Sequence, residues 1–115
     1  MALHHASPGE VVDLGLPANA PDQVANQPVA RAIVKTDRFE AIHLVLERGG
    51  KIPAHKIASE ITLHCVQGAV SVTLADQTFA LHAGQWVFFG ENSVQGIDAI
   101  TDAVLLMTIM LPLDN

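Results

Sequence analysis

From residue 36 onward, apolar and polar side chains alternate in short runs divided by glycine or polar turns. In EITLHCV (60–66), Ile61, Leu63 and Cys65 fall on one face, with Thr62, His64 and Val66 on the other, the period of two that marks a strand with one buried side. AVSVTL (69–74) repeats the pattern, with Val70, Val72 and Leu74 against Ser71 and Thr73. FEAIHLVLE (39–47), TFAL (78–81), QWVFF (85–89), VQGIDAI (94–100) and AVLLMTIML (103–111) complete the series. No stretch carries a capped apolar repeat near 3.6 residues, so strands packed as an all-β sandwich or barrel are predicted.

Residues 1–35 read differently. EVVDLG (10–15) could add an edge strand, while LPANAPDQVANQP (16–28) has the composition of an irregular connection. The predicted organisation is therefore a lead-in over 1–35 and one barrel over 36–115. RGGKIP (48–53) reads as a turn closed by Pro53.

With 115 residues and half of them hydrophobic, the chain can build a single core. Twelve acidic against six basic residues give a net charge of -6, and no basic stripe exists to neutralise a nucleic-acid backbone. Aromatics are 4% of the chain and tyrosine is absent, so base-stacking platforms are scarce. One cysteine cannot form an internal disulfide, which points to a reducing compartment. The start MALHHASPGE does not resemble a secretory signal and no apolar run is long enough to span a bilayer. A cytoplasmic protein without nucleic-acid or membrane partners is expected. The paired His4 and His5 read as an unordered terminus.

Two spaced motifs resemble those of the cupin superfamily, in particular its small single-domain RmlC-like members. Gly49 is followed after five residues by His55, and Gly68 closes the span. Ile57 occupies the second histidine position, and Glu60 stands one residue before the glutamate position, which Ile61 fills. In the second motif Gly84 is followed by Gly90, Asn92, Gln95 and Ala99, with Gln95 where the family carries a histidine. The resemblance covers about residues 36–111. It implies an all-β, cupin-type double-stranded β-helix (jelly-roll) barrel, and a homodimer in which the lead-in crosses to the partner.

The family's metal centre usually takes three histidines and a carboxylate. Carried over by position, the candidates here are His55, Glu60 and Gln95, a set that could hold iron, manganese, zinc or nickel weakly. No cofactor is the expectation, because Ile57 and Gln95 replace two strong donors. His55 and Glu60 could instead act as an acid–base pair. Ile57, Ile61, Leu63, Cys65, Val72, Phe89, Gln95 and Met107, with Trp86 as a further candidate, are expected to line a largely apolar pocket. The predicted function is a small-molecule-binding barrel, weakly catalytic or not catalytic. The alternatives are a metal-dependent, dioxygenase-like enzyme and a metal-free isomerase with His55 as base. Cys65 reads as a packed thiol, and His43, His64 and His82 as wall, outer-face and turn residues.

Overall fold

The computed structural model describes residues 5–15 and 27–112; His4 and most of the 16–28 connection lie outside them. Among these described residues nine strands follow in chain order: β1 (Val29–Lys35), β2 (Phe39–Leu46), β3 (Lys51–Ile57), β4 (Ile61–Gln67), β5 (Ala69–Leu74), β6 (Gln77–His82), β7 (Trp86–Phe89), β8 (Ser93–Ala99) and β9 (Ala103–Met110). They form two antiparallel sheets, β1-β2-β9-β4-β7 and β3-β8-β5-β6. From β2 onward, most successive strands alternate between the sheets, and the inner faces meet in one core, the layering of a jelly roll.

Alternation decides what enters that core. Ile61, Leu63 and Cys65 of β4 have no accessible surface, while Thr62, His64 and Val66 between them are half-buried on the outer side. Leu44, Leu46, Val70, Val72, Phe89, Ile97, Leu105 and Met107 join from the other strands. Branched side chains of this volume fill a barrel of this size.

Two sequence expectations shift. The edge strand lies at Val29–Lys35, pairing with β2, and Glu10 to Gly15 form no strand. In that segment Asp13 Oδ1 accepts the Gly15 N–H, a local bond that competes with extended pairing. The sheet therefore begins ahead of residue 36, and Thr36 sits in the β1–β2 turn, where its Oγ1 accepts from the Arg38 and Phe39 amides. Pro53, expected to end a turn, lies within β3. A proline is tolerated there because β3 is an edge strand carrying an irregularity between Ile52 and His55.

The lead-in touches its own barrel. The Ala6 amide donates to the Ile33 carbonyl, and His43 Nε2 donates to the Leu14 carbonyl at 3.1 Å. That bond satisfies a histidine that is 3% exposed on the outer face of β2. Among the described residues no helix is long and apolar enough to cross a membrane.

Candidate functional site

The irregularity in β3 decides where His55 points. Ile52 stands opposite Ile97, and His55 opposite Gln95, so Pro53 and Ala54 together face the single residue Gly96. Two residues against one is a β-bulge, and it reverses the facing of everything after it. Without the extra residue, Ile52 and His55, three apart, would lie on opposite faces. With it, Ile52, His55 and Ile57 share the inner face of Ile97, Gln95 and Ser93.

His55 and Gln95 are thus cross-strand neighbours, whose Cβ atoms in such a pair lie about 5 Å apart. Their surroundings differ sharply. His55 belongs to the sheet edge and is exposed; Gln95, one strand further in and flanked by Leu74 of β5, keeps 2% exposure. The imidazole Nδ1 lies 3.0 Å from the Pro53 carbonyl oxygen. A carbonyl only accepts, so Nδ1 carries the proton and, in the neutral ring, Nε2 offers its lone pair. Gln95 Nε2 donates to Ser93 Oγ at 3.3 Å, and its Oε1 is buried without a partner among the described residues.

Glu60 goes elsewhere. It is exposed just ahead of β4, its carbonyl accepting the Met110 amide at 3.0 Å. Its side chain borders an open cleft of about 390 Å³ shared with Ser59, Glu91, Asn92, Met110 and Leu111. Neither His55 nor Gln95 lines that cleft. The structure brings His55 and Gln95 together and leaves Glu60 out, because the turn at Ala58 and Ser59 carries the chain from one sheet to the other.

The expected apolar pocket is closed by packing. Ile61, Leu63, Cys65 and Val72 have no accessible surface, Phe89 keeps 1% and Met107 8%. A void large enough for water would give the first four measurable surface, so they are core contacts rather than a lining, and Phe89 and Met107 are buried in the same cluster. Ile57 packs half-buried against the edge of that core. Trp86 lies on the outer face, opposite His64 and 59% exposed. Cys65 Sγ lies 3.5 Å from the Gln67 carbonyl and 3.4 Å from that of Gly68, and burial pushes its thiol pKa up. It is held as a protonated thiol, remote from nucleophile chemistry.

These donors do not fit a resident transition metal. The pair offers one imidazole nitrogen and one amide oxygen, both neutral, where such ions are held by three or four strong donors. Among the described residues no three His, Cys, Asp or Glu side chains gather as a ligand group. Sequence reading missed Ser93, Ala54 and Gly96. A glycine inside the strand pattern of VQGIDAI is a signal of close backbone approach that could have found the last.

No family model matches the chain, and no curated protein matches it in sequence. Solved structures do match. A cupin superfamily protein from Desulfitobacterium hafniense is 15% identical over 79% of this chain and 84% of its own, with a TM-score of 0.74. A conserved protein of unknown function from Streptococcus pyogenes covers 99% of this chain and 98% of its own at 16% identity and a TM-score of 0.78. An RmlC-like cupin with a double-stranded β-helix fold from Methanocaldococcus jannaschii is 25% identical, covering 90% and 94%, with a TM-score of 0.67. The chain has the fold of the RmlC-like cupins: an all-β jelly-roll barrel built as a double-stranded β-helix.

Proposed function

We propose that the protein is a small-molecule-binding cupin barrel, non-catalytic or weakly catalytic, whose ligand is gripped at the β3–β8 edge by His55 and Gln95. The observation that carries this reading is the orphaned Oε1 of Gln95, which has almost no surface of its own and is uncovered to a ligand when the exposed His55 side chain across the strand pair moves aside. A buried amide oxygen without a donor costs about 1–3 kcal/mol, and such a cost is retained where a binding partner recovers it. Both groups are acceptors, so the ligand supplies two neighbouring N–H or O–H donors. A carboxylate would meet two acceptors and be refused. The role expected of the deep apolar side chains passes to Ile57, which offers apolar contact beside the polar pair.

The free lone pair on His55 Nε2 is also what a base in an isomerase needs. Among the described residues, however, the His55 ring donates its Nδ1 proton to a backbone carbonyl, and no carboxylate joins it as a proton acceptor. Binding therefore takes precedence over proton transfer.

The test is a titration of isotope-labelled protein with urea, ethylene glycol and acetate, following the Gln95 side-chain amide and the His55 ring by NMR. Urea and the diol should shift both sets of resonances, acetate neither, and Gln95→Leu should remove the response. Shifts confined to residues around Glu60 and Glu91, or a response to acetate alone, would overturn the reading.

A further inference from the structure

We infer that Gly96 is the positioning residue for His55: by lacking a side chain it admits the β3 bulge that turns the imidazole inward and fixes its tautomer. The inference rests on the reading of His55 as a ligand-binding group. Gly96 is buried at the centre of β8, opposite the doubled residues Pro53 and Ala54. A Cβ built on it would lie 3.0 Å from the Ala54 nitrogen, 3.1 Å from its Cα and 3.3 Å from its Cβ. Two of those atoms are backbone, so relief requires β3 itself to move by a few tenths of an ångström.

That movement has one direct consequence for the site. The carbonyl of Pro53, next to Ala54, holds the His55 Nδ1 proton. Which ring nitrogen carries the proton is set by the hydrogen bond the other makes. If the bulge is displaced, the bond at 3.0 Å lengthens and the ring is released to the tautomer mixture of a solvated imidazole. Nε2 then ceases to be a dedicated acceptor beside Gln95 Oε1. The sequence element responsible is the pairing of Pro53, which needs no ladder partner for its missing N–H, with a glycine directly across. Neither residue touches a ligand in this scheme.

The experiment reads the tautomer without any ligand. Imidazole nitrogen shifts are recorded at a pH above the range in which the ring takes up a second proton, with His55→Gln used to assign the resonance. Wild type should show His55 protonated at Nδ1, unlike exposed His82. Gly96→Ala should shift His55 towards the His82 pattern and weaken the urea response several-fold, while Gly90→Ala, where a Cβ meets nothing within 4 Å, should leave both unchanged. Deletion of Ala54 removes the extra residue without adding an atom and should also release the tautomer, which covers the case in which Gly96→Ala fails to fold. A folded Gly96→Ala or Ala54-deleted protein with the wild-type His55 pattern overturns the inference. Failure of urea to bind wild type, with the tautomer behaving as stated, would instead remove the binding reading and leave the positioning role in place.

Discussion

Gly68 turns at φ +79° so close beneath the Asp102 carbonyl oxygen that no Cβ fits between them. The contact locks the β4–β5 turn to the residues just ahead of β9, where Ala69 N–H also donates to Thr101 Oγ1 at 3.1 Å. Gly68→Ala combines a left-handed backbone with a clash against backbone, and should cost roughly 3 kcal/mol. Gly84 has a similar φ of +86° but open space around it, so Gly84→Ala should cost only about 1 kcal/mol. Urea midpoints of the two variants separate clash from conformational strain; equal losses would contradict the geometry.

Gln95 makes the opposite prediction. Gln95→Leu removes the unpartnered oxygen and keeps the volume, leaving half-buried Ser93 to bond water. Stability should rise by about 1 kcal/mol while the urea and diol response disappears. A gain in stability joined to a loss of binding is the signature of a residue kept for function. Thermal unfolding and the NMR titration on the same protein check it, and destabilisation by Gln95→Leu would show that the amide is satisfied in solution.

Burial raises the Cys65 thiol pKa in the folded protein, which fixes the sign of its pH dependence. The unfolded chain releases this proton near the ordinary value of about 8.5, while the folded chain still holds it. Above that pH the unfolded state binds fewer protons than the native one, so stability falls as pH rises towards the folded pKa. Below it the contribution is fully present. Urea midpoints from pH 7 to 10 should fall more steeply for wild type than for Cys65→Ala, and a thiol reagent at neutral pH should label only unfolded protein.

The legible part of this molecule was the part governed by period two. Ile61, Leu63 and Cys65 declared the β4 inner face because their neighbours alternate with them, Val70 and Val72 did the same for β5, and the later strands were legible as apolar runs between turns. β3 was not legible: in KIPAHKI the burial pattern never alternates cleanly, since the strand is exposed at an edge and its facing reverses at Pro53 and Ala54. The pairing of His55 with Gln95 was approachable from motif spacing. Its geometry was not, because it depends on a bulge that only the strand opposite can reveal. Glu60 lines a cleft that His55 does not share for a related reason: the five residues from His55 to Glu60 include a passage between sheets. The β1 strand was hidden by Arg31 and Lys35, charges that an edge strand accommodates without a core-like pattern.

The outer face of the five-stranded sheet carries the last prediction. One row across it, Val34, Ala41, Thr108, Thr62 and Phe88, holds no charge, and Phe39 with Met110 continues it. Trp86 is 59%, Phe88 50% and Met110 40% exposed along this surface. On a chain of net charge -6, two copies repel wherever their carboxylates approach, and the uncharged row from Val34 to Phe88 is where they can meet. We predict a second copy of the chain as the occupant, with Trp86 and Phe88 as anchors on the exposed β7 edge. Sedimentation should find a dimer for wild type. Phe88→Glu, which sets like charges against each other across the contact while leaving the core untouched, should give a monomer with an unchanged circular dichroism spectrum and intact urea response. A wild-type monomer, or a dimer indifferent to Phe88→Glu, would assign the face to a different partner and remove self-association from it.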